Sequence, residues 1–471
     1  MDNKSVNVSY EELERQRQYC DAVSQILQSK YHNGKPKAFV HTYGCQGNVS
    51  DGERMKGMLE SMGYAFTERV EEADLVLYNT CAVREHAEDR IYGNAGALKP
   101  LKKQKPDMII ALCGCMMQQP RVEKRIRESF SFIDIVFGTH VIYKLPEILF
   151  KALSKGKRVF MTEESEGNIA EGLPVHRDSS FKAWLPIMYG CNNFCSYCIV
   201  PYVRGRERSR DFDAVVEEAR QLVKAGYKEI TLLGQNVNSY NRTLSEEYRF
   251  PALLRTINAI EGDFIIRFMT SHPKDCTEEL LKAMSECDKV AKHLHLPFQS
   301  GNNRVLKAMN RGYTKEKYIS LIEKAYELMP ELSVTSDVIV GFPGETYEEF
   351  LDTLDVMKRV EYTSLFTFIF SLRPGTAAEK LPDPISREEK GIWFKELTDL
   401  QQEIAARRTS QMQGRQYRVL VEEKSKTEGV LCGRTEGNII IEFPGDETDI
   451  GNFVTVEVTE ALTWILRGKK I

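Results

Sequence analysis

The sequence predicts an α/β protein with an N-terminal parallel-sheet α/β domain, a partial (βα)6 barrel and a C-terminal small all-β barrel. Its 471 residues exceed the roughly 250–300 residues at which single cores stop growing. Short apolar runs alternate with amphipathic stretches over most of the chain, and the last part changes to a period of two. We assign an N-terminal extension, the α/β domain, the partial barrel and the small barrel to residues 1–35, 36–154, 177–408 and 410–471, respectively.

The α/β domain is predicted from three apolar runs, Ala38–Val40, Leu75–Tyr78 and Met108–Leu112. Amphipathic stretches at Asp51–Ser61 and Val83–Lys99 lie between these runs. Alternation of this kind is typical of βαβ units with a parallel sheet.

The segments beside this domain are polar. The extension contains one predicted helix, around Tyr10–Gln28. Residues 155–180 are rich in Glu, Gly and Ser, which favours a linker.

The partial barrel is predicted from six further strands separated by helical segments. The predicted strands are Trp184–Tyr189, Glu229–Leu233, Phe264–Met269, Lys292–Leu296, Ser333–Val340 and Leu365–Phe370. An open sheet is the alternative, because sequence does not report closure. A helix over Ser386–Arg408 leads into alternating runs such as Tyr417–Val421 and Phe453–Val458, which predict a five-stranded barrel.

Composition points to a cytoplasmic protein. The net charge of −4 gives no global positive field, so nucleic-acid binding has to come from local basic patches. The N-terminal residues do not form a secretory signal, and no apolar run reaches the roughly 18 residues of a membrane span. We therefore expect reduced thiols and no membrane contact.

Three of the eleven cysteines form a tight cluster. Cys191, Cys195 and Cys198 follow the first predicted strand of the partial barrel, at offsets 0, 4 and 7. Three thiolates can hold three irons of a cubane and leave the fourth open, whereas iron–sulfur carriers use four cysteines. An open iron can chelate S-adenosylmethionine (SAM) for reductive cleavage. A structural zinc site is the alternative, but zinc needs four closed ligands.

A second set of three cysteines is far apart in sequence. Cys45, Cys81 and Cys115 each lie just past a predicted strand of the α/β domain. The carboxyl ends of parallel strands share one edge, where ligands bind, so the three can converge on a second cluster with one open iron. Three separately buried thiols are the alternative. Cys113 is interpreted as a packed side chain.

The cysteine motifs resemble known ones. Cys191-Asn192-Asn193-Phe194-Cys195-Ser196-Tyr197-Cys198 resembles the cluster loop of the radical SAM superfamily. More specifically, the chain beyond about residue 36 resembles the methylthiotransferase family of radical SAM enzymes. The motifs that carry this resemblance are Thr42-Tyr43-Gly44-Cys45-Gln46-Gly47-Asn48-Val49-Ser50-Asp51, Asn79-Thr80-Cys81-Ala82-Val83-Arg84, Gly114-Cys115-Met116, Gly205-Arg206-Glu207-Arg208-Ser209-Arg210, Leu233-Gly234-Gln235-Asn236-Val237 and Ser336-Asp337-Val338-Ile339-Val340-Gly341-Phe342-Pro343-Gly344-Glu345-Thr346.

The resemblance implies two [4Fe–4S] clusters, held by Cys45, Cys81 and Cys115 and by Cys191, Cys195 and Cys198. It also implies that two SAM molecules and an added sulfur convert N6-isopentenyladenosine at position 37 of tRNA to its 2-methylthio derivative. Gln46 stands where the ribosomal-protein branch carries Pro-Lys, which favours tRNA. Threonylcarbamoyladenosine and a ribosomal-protein aspartate are the alternative targets. Gly47 departs from the family, which usually has Met there.

Further residues are assigned to SAM and tRNA. The resemblance implies that Tyr197 packs near the adenine of SAM. Polar and glycine residues past the other strand ends are expected to line the same chamber: Gln235, Asn236, Ser271, Gln299, Ser300, Asp337 and Gly341. Turn or capping roles are the alternative for each.

The C-terminal module resembles the TRAM domain, an RNA-binding appendage. Phosphate contacts of the tRNA anticodon loop are assigned to the local arginines: Arg204, Arg206, Arg208, Arg210, Arg415 and Arg418. Solvated surface or a SAM carboxylate are the alternatives for them. We also expect a flavodoxin or ferredoxin as electron donor, and a monomer.

Overall fold

The computed structural model describes residues 7–32, 34–82, 87–162 and 167–471. Residues 1–6 of the extension, Val83 and Arg84 of the second cysteine motif, and residues 163–166 of the linker lie outside these ranges. The chain divides into two compact units. The first contains Met1–Asp178, Tyr189–Asn192 and Ile199–Arg210; the second contains Ser179–Met188, Asn193–Cys198 and Asp211–Ile471.

A six-stranded parallel sheet forms the centre of the first unit, with the order β2-β1-β3-β4-β5-β6. The strands are β1 (Lys37–Thr42), β2 (Ala65–Phe66), β3 (Leu75–Thr80), β4 (Ile109–Gly114), β5 (Ile135–Phe137) and β6 (Val159–Met161). Every residue of β3 and β4 is buried, as is typical of central parallel strands.

Helices cover both faces of this sheet: α1 (Tyr10–Lys30), α2 (Gln46–Ser61), α3 (Ala87–Gln104), α4 (Pro120–Ser129) and α5 (Leu145–Lys155). One apolar core joins α1, α2 and α5 to the sheet, and a second joins α3 and α4. The parallel α/β prediction is confirmed. β2, β5 and β6 were not predicted, because strands of two or three residues are too short to show alternation of apolar and polar side chains. β6 lies inside the segment 155–180 that was predicted to be a linker.

Four short elements follow: β7 (Lys182–Pro186), β8 (Met188–Tyr189), α6 (Val200–Arg204) and β9 (Arg208–Ser209). Of these, α6 and β9 belong to the first unit and β7 to the second.

The second unit begins with the six parallel strands of a partial barrel. They are β7 with β10 (Glu229–Leu233), β11 (Ile265–Phe268), β12 (His293–His295), β13 (Ser333–Val340) and β14 (Ser364–Ile369). They pair as β11-β10-β7 and β12-β13-β14, and a bridge from Ile266 to Val290 links the two halves. The helices are α7 (Phe212–Lys224), α8 (Phe250–Asn258), α9 (Glu278–Glu286), α10 (Asn303–Ala308), α11 (Lys315–Leu328), α12 (Tyr347–Val360) and α13 (Arg387–Ser410).

The second unit ends in a closed five-stranded barrel with the order β15-β16-β17-β19-β18. Its strands are β15 (Gln416–Lys424), β16 (Val430–Thr435), β17 (Ile440–Pro444), β18 (Phe453–Ala461) and β19 (Ile465–Lys470). Its core is filled by alternate apolar residues such as Val419, Val421 and Ile441. Both barrel predictions are thus confirmed. In the described ranges, no helix has the length and apolar character needed to cross a bilayer.

Candidate active site

Three cysteines follow neighbouring strands at the carboxyl edge of the first sheet. Cys45 is the N-cap of α2 after β1, Cys81 directly follows β3, and Cys115 directly follows β4. Burial raises the pKa of the Cys115 thiol to about 12. The thiols of Cys45 and Cys81 are close enough to add to this shift electrostatically. The predicted convergence of the three strand ends is therefore present.

Two glycines make this approach possible. Gly44 and Gly114 have φ angles of 118° and 94°, which L-residues rarely adopt. A Cβ atom at Gly44 would lie 2.6 Å from the Cβ of Cys81. A Cβ atom at Gly114 would lie 2.5 Å from the carbonyl oxygen of Thr80. The backbone before Cys45 and Cys115 therefore leaves room only for hydrogen.

Asn48, which is fully buried, ties the cysteine loops together. Its Nδ2 donates to the carbonyl oxygen of Thr80 at 2.8 Å, just before Cys81. Its Oδ1 accepts from the Sγ of Cys45 at 3.3 Å. The same oxygen accepts from Nη2 of Arg204 at 3.3 Å.

Arg204 is buried beside these thiols. Its Nε donates to the Sγ of Cys115 at 3.1 Å, and its Nη2 pairs with Asp51 at 2.7 Å. Burial alone would lower the pKa of Arg204, but Asp51 and Cys115 hold it well above the ordinary value. This burial contradicts the prediction that Arg204 contacts tRNA phosphate. The roles of Asn48 and Asp51 were missed, although both lie in the first cysteine motif.

The donor set fits an iron–sulfur cubane with one corner left open. Among the described residues, no group of three or more His, Cys, Asp or Glu side chains surrounds a single metal position. Thiolates that bind different irons of a cubane do not have to meet at one point. Cys113 is packed in the core, with its Sγ 3.6 Å from the sulfur of Met55, as interpreted from sequence.

The loop of Cys191, Cys195 and Cys198 is divided between the two units. In the first unit, buried Cys191 donates from its backbone N–H to the carbonyl of Gly205 at 3.2 Å. In the second unit, the N–H of Cys198 donates to the carbonyl of Cys195 at 2.9 Å. Ser196 lies between those two cysteines and forms backbone hydrogen bonds with Met309 and Ala378, which fix the loop.

Arg311, which was not predicted, holds the Cys195 side of this loop. This buried residue donates from Nη1 to the Sγ of Cys195 at 3.3 Å and from Nη2 to the carbonyl of Pro297 at 2.7 Å. Nη1 also lies 3.4 Å from the hydroxyl of Tyr197. Burial would lower the pKa of Arg311, but Tyr197, Tyr313 and Cys195 hold it well above the ordinary value.

Unpartnered polar atoms follow two strands of the partial barrel. Asn236 lies after β10 and Ser271 after β11, and both are buried. The Oδ1 of Asn236 and the Oγ of Ser271 have no hydrogen-bond partner among the described residues. Buried polar atoms normally have partners, so these two fit the polar groups of a bound ligand such as SAM.

The other residues predicted to bind SAM differ from one another in their contacts and burial. Ser300 accepts from the N–H of Asn302, and Gln299 pairs through its backbone with β13. The carboxylate of Asp337 lies 3.6 Å from Nε2 of His295. Gln235 is half-buried. The N–H of Gly341 donates to the carboxylate of Glu345 at 2.8 Å, which shapes the turn after β13.

The remaining predicted tRNA arginines differ in exposure. Arg210 is buried in an ion pair with Glu171, which contradicts its prediction as a phosphate contact. Arg206 is exposed, and half-buried Arg208 donates to its carbonyl. In the small barrel, Arg415 pairs with Glu331 at 2.8 Å. Arg418 pairs with Asp263 and lies 3.6 Å from the ring centroid of Phe453.

Family models match three parts of the chain. They are the Radical SAM superfamily over residues 185–357, Uncharacterized protein family UPF0004 over 37–138, and the TRAM domain over 410–471. A radical S-adenosylmethionine methyltransferase from Kitasatospora setae, solved with tryptophan and a SAM analogue, has a similar fold. The TM-score is 0.51 at 16% identity, covering 73% of this chain and 74% of that one. The fold and the cysteine loop define a radical SAM protein, a class that uses a [4Fe–4S] cluster and SAM.

Relatives define the family within this class. The tRNA-2-methylthio-N(6)-dimethylallyladenosine synthase of Acetivibrio thermocellus is 48% identical, covering 99% of this chain and 98% of the relative. The enzyme of the same name from Alkaliphilus oremlandii is 49% identical with the same coverage. The chain belongs to the tRNA-2-methylthio-N(6)-dimethylallyladenosine synthase family.

Proposed function

We propose that this chain converts N6-isopentenyladenosine at position 37 of tRNA to its 2-methylthio derivative. The observation that carries this proposal is the second three-thiol site, formed by Cys45, Cys81 and Cys115. SAM cleavage alone requires only the cysteine loop at residues 191–198. A separate set of three thiols at neighbouring strand ends, of which Cys81 and Cys115 are buried and Cys45 is exposed, supports a second task, the handling of sulfur.

Two [4Fe–4S] clusters fit these thiols, one on Cys45, Cys81 and Cys115 and one on Cys191, Cys195 and Cys198. When bound, the radical-SAM cluster supplies the electron that cleaves SAM, and the second cluster supplies a place for the sulfur to be inserted. Buried Arg204 and Arg311 place positive charge at the Sγ atoms of Cys115 and Cys195. Each guanidinium offsets the charge of a thiolate that is withdrawn from water.

Other residues of the second unit support SAM binding. Tyr197 packs beside Val305, Met309 and Phe342, which provides an apolar surface for a ring such as adenine. The unpartnered atoms of Asn236 and Ser271 are suited to the polar groups of SAM. Gln235, Gln299, Ser300, Asp337 and Gly341 remain proposed members of this chamber.

For tRNA, exposed Arg206 and Arg415 and half-buried Arg208 and Arg418 remain the proposed phosphate contacts. The anticodon loop presents unstacked bases, so adenosine 37 can be reached without opening a helix. A flavodoxin or ferredoxin is the proposed electron donor. The proposed location is the cytoplasm, and the proposed active form is a monomer.

The overall reaction consumes two SAM molecules. One gives its methyl group and leaves S-adenosylhomocysteine. The other is reduced by one electron to methionine and a 5′-deoxyadenosyl group, which takes the C2 hydrogen and leaves as 5′-deoxyadenosine. A sulfur at the oxidation level of sulfide forms the new bond to C2, and the one electron released in that step returns to the donor system that reduced SAM.

The test is nucleoside mass spectrometry of tRNA from a host strain whose own synthase gene is deleted. The gene for this chain should restore 2-methylthio-isopentenyladenosine. A matched gene carrying Cys81→Ser should leave isopentenyladenosine unmodified. Restoration only of a methylthiolated threonylcarbamoyladenosine, or of a modified ribosomal-protein aspartate, would assign the chain to another branch.

A further inference from the structure

A cavity lies in the second unit where the small barrel meets the partial barrel. This aromatic cavity is lined by Met269, Thr335, Phe366, Arg434, Asn438 and Trp464. Its volume is about 260 Å³, near the lower end of ligand pockets, which begin at roughly 300 Å³. It therefore has room for one small planar group.

None of the proposed SAM residues lines this cavity, although Phe366, which does, is the register partner of Asp337 in the pairing of β13 with β14. It reaches Ser333, the first residue of β13, and Thr363, which precedes β14. Asn236 and Ser271 instead follow the carboxyl ends of their strands. The aromatic cavity is therefore distinct from the position of the unpartnered atoms of Asn236 and Ser271.

The rings at this cavity are unusually exposed. Trp464 is 49% exposed and Phe366 is 49% exposed. Phe368, two residues further along the same face of β14, is 52% exposed. The Phe366 ring is held edge-on by His295, with centroids 5.8 Å apart. Three exposed rings near one seam indicate a surface that stacks on another ring.

The seam itself is rigid. Buried Arg267 of β11 donates to the carbonyls of Thr435 and Glu436 of the small barrel, each at 2.9 Å. The same guanidinium pairs with Glu229 at 2.7 Å. These bonds hold the small barrel, and with it Trp464, in a fixed position on the partial barrel.

A second cavity adjoins the first. This basic cavity, of about 200 Å³, is lined by Lys292, Glu331, Arg408, Arg415 and Tyr417. The two cavities share five lining residues: Ser333, Thr363, Thr409, Gly437 and Ile439. The aromatic cavity and the basic cavity are therefore adjacent, with these residues between them.

Two cations of the basic cavity retain their charge for a ligand. Lys292 donates to the carbonyls of Met284 and Cys287, and Arg408 donates to the carbonyl of Leu332. Neither forms an ion pair with a carboxylate in the described part of the chain. A bound phosphate can therefore pair with both cations, although Glu331 and Glu436 also line this cavity.

We propose that the two adjacent cavities hold one unpaired nucleotide of the tRNA anticodon loop other than the modified adenosine. Its base stacks on Trp464 and Phe366, and its phosphate faces Lys292 and Arg408. Aromatic platforms beside cations are how proteins hold unpaired nucleotides, and every base offers a ring face. This inference rests on the proposed function, because it takes tRNA as the substrate.

Binding of an anticodon stem-loop RNA that carries isopentenyladenosine tests the proposal. The full-length, reconstituted chain is titrated by fluorescence anisotropy. Trp464→Ala should weaken binding about tenfold, whereas Trp464→Phe, which keeps a ring, should stay within about threefold. Tyr10→Ala removes a 70% exposed ring of α1 and should not change binding. Thermal unfolding of each variant checks that it is folded.

An abasic series identifies the nucleotide. Each loop nucleotide is replaced in turn, and one abasic site other than position 37 should weaken binding to the unchanged chain about tenfold. That penalty should disappear in Trp464→Ala, because the stacking partner is already lost. The assignment of this pocket is wrong if every abasic RNA loses the same affinity for the unchanged chain and for Trp464→Ala. It is also wrong if Trp464→Ala binds the stem-loop as tightly as the unchanged chain. Failure of the unchanged chain to bind the stem-loop at all would instead overturn the proposed function.

Discussion

Arg204 donates through Nε to the Sγ of Cys115 at 3.1 Å, 89 residues away in the chain. In the second unit, Arg311 donates through Nη1 to the Sγ of Cys195 at 3.3 Å. Each set of cysteines thus has one thiol that accepts a hydrogen bond from a buried guanidinium. Hydrogen bonds to ligand sulfurs tune the reduction potential of an iron–sulfur cluster.

Replacing Arg204 with lysine tests this contact. Lysine keeps a positive charge for buried Asp51 but lacks the planar fork that reaches Cys115 and Asp51 together. We expect the cluster on Cys45, Cys81 and Cys115 to lose iron about 10- to 100-fold more readily to a chelator. Its potential in an EPR-monitored redox titration should also fall. Arg206→Lys, at an exposed neighbouring position, is the control, and equal iron retention in both variants would contradict the role of Arg204.

Because Gly44 lies so close to Cys81, a side chain at position 44 should remove one cluster and leave the other in place. In Gly44→Ala, the new Cβ would lie 2.6 Å from the Cβ of Cys81, and the φ angle of 118° adds strain. Iron should fall from about eight to about four atoms per chain, while SAM cleavage continues. Gly96→Ala, where no atom lies within 4 Å of the new Cβ, should keep all the iron. Full iron content in Gly44→Ala would show that the cluster is elsewhere.

Three cysteine variants separate the two proposed clusters. Cys191→Ser should abolish release of 5′-deoxyadenosine, measured by chromatography after reduction with SAM. Cys81→Ser should retain some 5′-deoxyadenosine release but form no methylthiolated product. Cys113→Ala alters only a packed core side chain and should retain both activities. Equal loss of SAM cleavage in Cys81→Ser and Cys191→Ser would contradict separate roles.

The sequence predicted the regular elements better than the contacts between them. Ser333–Val340 and Glu229–Leu233 match β13 and β10 at both ends, because β-branched and other apolar residues dominate both runs. Cysteines at strand ends were also predictable, since parallel strands share an edge. The burial of Arg204 was not predictable. Four arginines at two-residue spacing are typical of a solvated surface, and only the folded chain brings Asp51 and Cys115 to Arg204.

The turn after β13 contains a buried carboxyl group with a raised pKa. Glu345 is 3% exposed, and its carboxylate accepts from the N–H groups of Gly341 and Phe342. Burial raises its pKa from 4.5 to about 7, although both N–H groups oppose the shift. The native state therefore binds this proton more tightly than the unfolded state does.

This shift predicts a specific pH dependence of stability. The contribution of Glu345 is fully present below about pH 4.5 and is lost as the pH rises through about 7. Glu345→Gln keeps an acceptor for both N–H groups and cannot ionise. At pH 8 the variant should therefore be more stable than the unchanged chain, by at most about 3 kcal/mol. At pH 5 this gain in stability should be much smaller. Thermal unfolding midpoints at the two pH values measure this difference. Glu349→Gln is the contrasting control, because Arg304 lowers the pKa of Glu349 from 4.5, so its contribution is present above about pH 4.5 and its replacement should cost nearly the same at pH 8 and at pH 5. A Glu345→Gln effect of the same size at both pH values would mean that the carboxyl group does not titrate in this range.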